Sequence, residues 1–383
     1  MIQAANRLAT VNEYYFSTKL QEIATLNATG SNIINLGIGN PDTAPHPTVI
    51  DTLQQAITNP TSHGYQSYKG VPTLRNAIQL WYNNLYKVTL NATTEILPLI
   101  GSKEGIMHLC MAHLNQGDKV LIPNPGYPTY KAAVTLAGGT CEEYVLAAHN
   151  NWEPDMEALE QLDLRSVKMM FVNYPHMPTG AAASLALFKK IIDFGLSHNI
   201  LIVNDNPYSC ILSSNPLSIL QIEAATTIAV ELNSLSKSHN MAGWRMGMLC
   251  GNATVIHNVL QYKSNMDSGM LLPLQLAAAK ALELSTEWHT ALNNLYASRK
   301  IIALQILDYL QCTYTTPQQG LFVWAKVPPT YTNGYALSDY LLYQKNVFIT
   351  PGGIFGSQGN NYIRISLCQS ETILSEALTR IKD

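Results

Sequence analysis

Residues 231–247, ELNSLSKSHNMAGWRMG, place one lysine among hydroxyl side chains and an arginine eight residues further along the chain. Ser234, Ser236 and the guanidinium of Arg245 could converge on a single anion. The segment follows an apolar, β-branched run, TIAVEL, which is typical of a buried strand. A lone lysine after a strand is usually solvated, but Lys237 stands within a group of potential anion ligands. We therefore treat residues 234–245 as a candidate site for an anionic group.

A second candidate segment is LIGSKEG, in which Gly101 and Ser102 open a predicted helix. In doubly wound sheets, ligands bind at the carboxyl ends of the strands, so polar residues just after a strand are candidates. The first turn of a helix presents free N–H groups and the positive end of the helix dipole, which favour a phosphate. The alternative is an ordinary helix N-cap.

Two more polar segments follow buried runs. YPHMPTG comes after MMFVN, and DNPYS comes after ILIVN, which puts Asp205 at a strand end and Tyr208 three residues on. Taken singly, the first is a loop and Asp205 is a helix cap or turn residue. The same position after several strands nevertheless predicts that these segments meet at one edge of a sheet.

Composition and missing motifs argue against several other classes of function. Only 13% of the residues are charged, the net charge is −3, and no Lys/Arg cluster alternates with aromatic residues, so nucleic acid is not an expected partner. LGIGNP lacks the third glycine of a dinucleotide fingerprint, and no GxxxxGK[ST] occurs. The ten histidines show neither HExxH nor a Cys/His pairing at metal spacing, so we expect no metal site.

The elements that must position these residues alternate between strands and helices. KVLIP, KMMFVN, NILIVN, TIAVEL and GMLCG are predicted buried strands, and LALFKKIIDFGL is a predicted amphipathic helix. This alternation predicts an α/β fold with a mostly parallel sheet sandwiched by helices. After about residue 285 a long helix, three strand-like runs and a terminal helix from Glu371 indicate an α+β unit. We expect a large domain over residues 45–284 and a smaller one from residues 1–44 and 285–383.

The chain shows no signal for secretion or for crossing a membrane. Its N-terminus has no apolar h-region, and its most apolar segment is short and broken by Gln275 and Lys280. The six cysteines are far apart and lie mostly in apolar runs, which is typical of reduced, buried thiols. We expect a cytoplasmic protein.

In their order along nearly the whole chain, these segments resemble the fold type I, pyridoxal phosphate (PLP)-dependent class I/II aminotransferases. Within that family the resemblance is broadly to the LL-diaminopimelate, aspartate, aromatic and methionine aminotransferases. The family pattern S-x-S-K followed by G-x-R matches Ser234, Ser236, Lys237, Gly243 and Arg245. The other matches, in chain order, are Gly39, Tyr65, Gly101, Ser102, Lys103, Tyr127, the P-T-G turn at 178–180, Asp205, Tyr208 and Arg364.

The resemblance implies an enzyme that moves an amino group from an L-amino acid to a 2-oxo acid by a ping-pong mechanism. Lys237 would form the Schiff base with PLP and shuttle the proton at Cα, and this second role needs a depressed pKa. Asp205 would pair with the pyridine nitrogen, and Tyr208 would donate to the phenolic oxygen.

The resemblance also implies the remaining contacts. Tyr127 would lie against the ring, while Ser102, Lys103, Ser234, Ser236 and Arg245 would hold the phosphate. Tyr65 would reach in from the other subunit of a homodimer, and the low charge content agrees with a partner subunit. Arg364, supported by the N–H of Gly39, would grip the α-carboxylate in a two-pronged hydrogen bond that lysine cannot copy.

One position departs from the family pattern. The family has an Asn before P-T-G whose amide donates to the phenolic oxygen, but this chain has Met177, and a thioether cannot donate. Either the contact is missing or Asn173, four residues earlier, supplies the amide; we adopt the second hypothesis. Lys103 is either a ligand for a distal carboxylate or a solvated first-turn lysine, so the amino donor stays open.

Two other functions are compatible with parts of this pattern. A PLP-dependent C–S lyase of the same fold would share Lys237, Asp205 and Arg364 in kind. A PLP-binding sensor without turnover would need a DNA-binding arm, and only about 30 residues precede NLGIG. The transaminase is the prediction carried forward.

Overall fold

The computed structural model describes residues 2–383. Its strands are β1 Ile34–Asn35, β2 Ile96–Leu99, β3 Lys119–Asn124, β4 Thr140–Val145, β5 Val167–Val172, β6 Leu201–Asp205, β7 Ala229–Ser234, β8 Gly247–Gly251, β9 Phe322–Lys326, β10 Val347–Phe348, β11 Thr350–Pro351 and β12 Tyr362–Ser366.

The α-helices are α1 Tyr15–Ala28, α2 Pro47–Ile57, α3 Pro72–Tyr86, α4 Ser102–His113, α5 Thr129–Leu136, α6 Met156–Glu160, α7 Leu185–His198, α8 Ala225–Ile228, α9 Leu235–Ser238, α10 Ala253–Lys263, α11 Leu272–Leu282, α12 Thr286–Tyr309, α13 Gly334–Lys345 and α14 Glu371–Lys382. Short 3₁₀ helices lie at Asn6–Leu8, Pro60–His63, Ala148–Asn150, Ile219–Gln221, Ala242–Trp244, Gly352–Phe355 and Ser357–Gly359.

The central sheet has seven strands in the order β2-β8-β7-β6-β5-β3-β4. Its neighbours from β7 to β4 run parallel, and β8 is antiparallel to both β7 and β2. The five strands predicted for this region are all present, and the mostly parallel sheet is confirmed. Because β5, β6 and β7 are parallel neighbours, Val172, Asp205 and Ser234 end at the same edge. This edge is where the polar segments meet.

Both faces of the sheet are buried, as its continuous apolar strands predict. Along β5, Met170 and Val172 pack into a core cluster with helices that include α3 and α7, while Met169 and Phe171 pack into a second cluster with α4, α5 and α10. Alternate residues of one strand therefore enter opposite cores. The sheet is the middle layer of a three-layer α/β sandwich.

A second group of strands is built from segments near the two ends of the chain. Strands β11, β12 and β9 form an antiparallel sheet, and β1 pairs in parallel with β10 through Ile34 and Val347. The guanidinium of Arg299 on α12 donates to both carboxylate oxygens of Asp42, at 2.7 and 2.9 Å. The segment that contains Asp42 thus packs against the C-terminal region of the chain.

Three further observations concern the sequence-based expectations. All six cysteines are free, and five of them are buried while Cys141 is half-buried. In the part of the chain that the structure covers, no helix is long and apolar enough to cross a membrane. Residues 2–383 also bring together no cluster of three His, Cys, Asp or Glu side chains able to hold a metal ion.

Candidate functional site

A cavity of about 620 Å³ opens at the carboxyl edge of the central sheet, between this sheet and the β11-β12-β9 sheet. It gathers every predicted site residue except Tyr65. The predicted residues that line it are Gly39, Ser102, Lys103, Tyr127, Asn173, Asp205, Tyr208, Ser234, Ser236, Lys237, Arg245 and Arg364. Tyr65 lies outside this cavity and is 93% exposed.

Asp205 ends β6 and is almost fully buried. Its Oδ2 accepts a hydrogen bond from the hydroxyl of Tyr130 at 2.9 Å, whereas Oδ1 has no partner in the structure. Burial raises the pKa of Asp205 to about 7; the Tyr130 hydrogen bond opposes this rise and the charge of Glu231 adds to it. A buried carboxylate with one free oxygen is a receptor for a cationic N–H group.

Lys237 lies in α9, immediately after β7, so its side chain enters the cavity from the same edge. Its Nζ donates to the carbonyl oxygen of Gly39 at 2.5 Å. Burial lowers the pKa of Lys237, and the positive charges of Arg364 and Arg245 lower it further while the neighbouring Cys368 opposes them. The site thereby favours a neutral amine, the form that can act as a nucleophile or accept a proton.

One end of the cavity is built where the side chain of Arg245 lies across the start of α4. Gly101, which precedes α4, has φ +88°, and a Cβ there would overlap the guanidinium of Arg245. A Cβ on Gly247 would likewise overlap the backbone of Gly101 and Ser102. These glycines let the arginine approach the N–H groups of the helix start. Two hydroxyls complete the group, since Ser234 Oγ donates to Ser236 Oγ at 2.9 Å.

Arg364 reaches the same cavity from β12 in the other sheet. Its Nη2 donates to the carbonyl of Gly37 at 2.8 Å and its Nη1 contacts Met177 Sδ at 3.3 Å, while Nε is buried without a partner. Burial lowers its pKa to about 10, so the guanidinium stays charged at neutral pH. A buried cation that still has donors free is suited to a carboxylate ligand.

Asn173 and Met177 are coupled by the turn that holds them. The Asn173 amide nitrogen donates to the backbone carbonyl of Asp205, and its oxygen accepts from the N–H of Met177 at 2.7 Å. One amide hydrogen of Asn173 is left for another acceptor. Its donation to a cofactor oxygen therefore stays a prediction, and the two observed bonds show that Asn173 also fixes the end of β6.

Several residues of the site were missed from sequence. Tyr130 holds Asp205, Glu231 lies behind it in β7, and Tyr14, Phe16 and Leu20 bring the N-terminal segment over the cavity. The signal for Tyr130 was present, because it stands three residues after Tyr127 at a helix start in PGYPTY. No predicted site residue precedes Gly39 in the chain, so no comparable signal indicated that the N-terminal segment forms a wall of the cavity.

These features together test whether the residues fit PLP. The glycine-lined helix start, Arg245 and the two serines fit a phosphate, and the unpartnered Oδ1 of Asp205 fits a protonated ring nitrogen. The depressed pKa of Lys237 fits an amine that condenses with an aldehyde. The donor set therefore suits this cofactor.

Comparison with known proteins adds independent findings. A family model described as "Aminotransferase class I and II" matches residues 31–381. The LL-diaminopimelate aminotransferase of Oleidesulfovibrio alaskensis is 39% identical over 383 residues, with 98% of both chains covered. Transaminase BacF of Bacillus subtilis is 37% identical over 383 residues, with 100% of this chain and 96% of BacF covered.

Solved structures agree in fold. The structure of apo-BacF from B. subtilis superposes with a TM-score of 0.96 at 37% identity, covering 100% of this chain and 98% of that chain. A single mutant of the Thermus thermophilus aspartate aminotransferase superposes with a TM-score of 0.91 at 23% identity, covering 99% of each chain. The second likeness shows the shared fold alone.

Proposed function

The chain belongs to the class I and II aminotransferase family, and on that premise we propose that its cavity moves an amino group from an L-amino acid to a 2-oxo acid in two half-reactions. It is a PLP-dependent transaminase of fold type I, acting on an amino acid and an oxo acid. The observation that carries the residue assignments is that one cavity holds Lys237, the free oxygen of Asp205 and the buried guanidinium of Arg364.

Pyridoxal phosphate, when bound, supplies an aldehyde that takes up an amino group and a ring that withdraws electrons from the substrate Cα. Arg245, Ser234, Ser236 and the N–H groups of Ser102 and Lys103 hold the phosphate in this proposal. Tyr127 would pack against the ring, and the hydroxyl of Tyr208 would donate a hydrogen bond to the phenolic oxygen. Both tyrosines line the cavity, which supports their assignment.

Lys237 carries two tasks in the proposal. Its Nζ would hold the cofactor in the resting enzyme, and as a free amine Nζ would accept the proton that leaves the substrate Cα. Both tasks need the neutral amine. The lowered pKa of Lys237 supports them, and the bond from Nζ to the Gly39 carbonyl holds the amine at the substrate side of the cavity.

Asp205 stabilises a positive charge on the ring nitrogen through its free Oδ1. Because Asn173 holds the backbone carbonyl of Asp205 and Tyr130 holds Oδ2, the carboxylate cannot turn away from that position without losing a bond. Arg364 binds the α-carboxylate of the substrate with its free donors, and the backbone N–H of Gly39 supports the same group. An α-amino acid is the substrate that this arrangement recognises.

We also propose a homodimer with shared sites. Tyr65 and Tyr68 lie on an exposed loop, and Gly269 packs against the backbone of Gln66, so the exposed Met266 and Leu271 extend the same apolar surface. This surface continues to a second cavity that Arg245 borders. A partner subunit seated there would bring its own Tyr65 to the phosphate.

Mixing two inactive variants tests the shared site. In a heterodimer of Tyr65→Ala and Lys237→Ala subunits, one site has both native residues only if Tyr65 acts across the interface. Regained activity in the mixture is expected, and an inactive mixture would mean that each subunit completes its own site.

We also propose that the chain forms two domains, one of residues 45–284 and one of residues 1–44 with 285–383, and that the enzyme is cytoplasmic.

The test of the function itself uses purified protein with PLP. Borohydride reduction should attach the cofactor to Lys237, seen by peptide mass spectrometry, and an L-amino acid should then convert the cofactor to its stable amine form. Release of ammonia and pyruvate instead of that form would identify a C–S lyase. Several relatives are named LL-diaminopimelate aminotransferases, so this compound belongs among the donors tested.

A further inference from the structure

The part of the cavity that remains after the proposed cofactor and carboxylate contacts is mostly apolar. Its wall is formed by Phe16, Leu20, Ile38, Met177, Phe322 and Phe355. Phe16 and Leu20 are four residues apart on α1, so they face the cavity from one side of that helix. Two hydroxyl residues also line the cavity here, Ser17 on α1 and Tyr14 just before α1.

Aromatic rings surround the carboxylate-binding group. The guanidinium carbon of Arg364 lies 3.7 Å from the ring centroid of Phe322, 4.7 Å from that of Phe355 and 5.5 Å from that of Phe16. These rings stabilise the buried cation without neutralising it. A substrate with its carboxylate on Arg364 and its nitrogen at Lys237 must therefore turn its side chain toward an aromatic and aliphatic wall.

The charges that one subunit contributes to the cavity leave nothing for a distal ammonium group. Among the described residues that line the cavity, Asp205 is the only carboxylate, and the cofactor's ring nitrogen takes its free oxygen. A second ammonium on the substrate would lose part of its hydration without gaining a partner from these residues, and a charge without a partner in a mostly apolar environment is disfavoured. This argues against lysine and against LL-diaminopimelate as donors.

A distal carboxylate is disfavoured for a different reason. Among the described cationic residues that line the cavity, Lys103 is the one whose side chain has no proposed role. Its Nζ lies over the ring of Tyr14, 4.5 Å from the ring centroid. Burial lowers the pKa of Lys103, and the charge of Arg245 lowers it further. The cation that remains is thus already in contact with an aromatic ring and has a weakened preference for its charged form, which weakens any ion pair with a distal carboxylate.

We infer that the amino donor carries a large uncharged side chain, aromatic or branched aliphatic, which packs against Phe16 and Leu20 of α1. This inference rests on the proposed transaminase function, since it assumes that Arg364 and Lys237 fix the two ends of the α-amino acid. The N-terminal helix is then the element that selects the substrate.

The first experiment compares half-reaction rates of the PLP enzyme with phenylalanine, leucine, glutamate, lysine and LL-diaminopimelate. We expect kcat/KM for phenylalanine or leucine to exceed that for the three charged donors by at least about 30-fold, since a charged group would be buried without a partner. A charged donor within about threefold of the best neutral one would overturn the inference, although the transaminase assignment would stand.

A second experiment replaces one residue of the proposed apolar wall. Leu20→Lys places a cation beside the substrate side chain, and we expect the glutamate-to-phenylalanine ratio of kcat/KM to rise about fivefold, the scale of a partly exposed ion pair. Leu80→Lys on α3 is the matched control because Leu80 is similarly exposed, 58% against 43% for Leu20, and lies outside the cavity. An unchanged ratio in Leu20→Lys would contradict the role of α1.

Binding of carboxylates that lack an amino group tests the side-chain preference separately from the transamination reaction. Calorimetry should show that 3-phenylpropionate binds at least tenfold more tightly than glutarate, and that Phe16→Ala removes most of this preference. Equal or reversed affinities would overturn the side-chain assignment. If no amino acid reacts and borohydride attaches nothing to Lys237, the proposed function fails, whichever carboxylate binds better.

Discussion

The buried carboxylate of Asp205 makes a quantitative prediction about the cofactor-free protein. Asp205 has a pKa of about 7 in the fold, against an ordinary value of 3.8. A carboxyl whose pKa is raised on folding stabilises the folded state below pH 3.8 and loses that contribution as pH rises through 7. At 1.36 kcal/mol per pKa unit, the whole loss is about 4 kcal/mol, and about 3 kcal/mol of it falls between pH 5 and pH 9.

Asp205→Asn should remove this pH dependence because its amide is neutral and nearly the same size. Relative to the variant, the native apoprotein should lose about 3 kcal/mol between pH 5 and pH 9. Since unfolding entropy is about 2.1 cal/mol/K per residue, this corresponds to about 4 °C in Tm for the chain. Thermal unfolding of both proteins at equal concentration, without PLP, measures the difference.

Two controls isolate the effect. Asp51→Asn removes an exposed carboxylate from α2. Between pH 5 and pH 9 the Tm of this variant should change by the same amount as the Tm of the native protein. Added PLP should raise the Tm of the native protein at pH 8 more than that of Asp205→Asn, because only the carboxylate pairs with a ring cation. If the native and Asn apoproteins follow parallel curves with pH, the assigned burial of an unpaired carboxylate is wrong.

Three further predictions concern other residues of the site. Gly101→Ala should weaken PLP binding at least tenfold, because its Cβ overlaps the Arg245 guanidinium, whereas Gly117→Ala, with a similar φ of +93° but open space around it, should change the affinity less than twofold; a fluorescence titration with PLP measures both. Arg364→Lys should raise KM for amino donors at least tenfold in steady-state assays, because an ammonium cannot copy the two-pronged bond; an unchanged KM would remove Arg364 from the carboxylate site. Glu231→Gln should lower the free energy of unfolding by about 2–3 kcal/mol in urea titrations, because four donors, from Tyr82, Asn204, Ser218 and the N–H of Ile219, face its carboxylate and would meet an NH₂ group. Glu283→Gln, at an exposed surface pair, should cost less than about 1 kcal/mol and serves as its control.

Local patterns along the chain predicted most of the fold. The runs that form β3, β5, β6, β7 and β8 are apolar because both faces of those strands are buried, and nearly every residue in them is buried. The polar residues that end those strands could be predicted to meet, since parallel strands end at one edge. Their order also supported the family resemblance, which the comparisons confirmed.

Contacts between distant segments could not be predicted in the same way. Tyr130 reaches Asp205 across 75 positions of the chain, and Arg364 reaches Gly37 across 327. Tyr14, Phe16 and Leu20 line the cavity only because β1 pairs with β10 and carries the N-terminal segment over the site.

The sequence by itself determined which side chains are available for chemistry and in which order the strands present them, because hydrophobic periodicity and turn residues act over a few positions. Only the tertiary structure decided that Asp205 keeps one oxygen free, that Gly101 leaves room for Arg245, and that aromatic rings enclose Arg364. Those properties depend on the packing of elements that lie far apart in the chain. The same packing excludes water from the site, and it is this exclusion that shifts the pKa values on which the proposed chemistry depends.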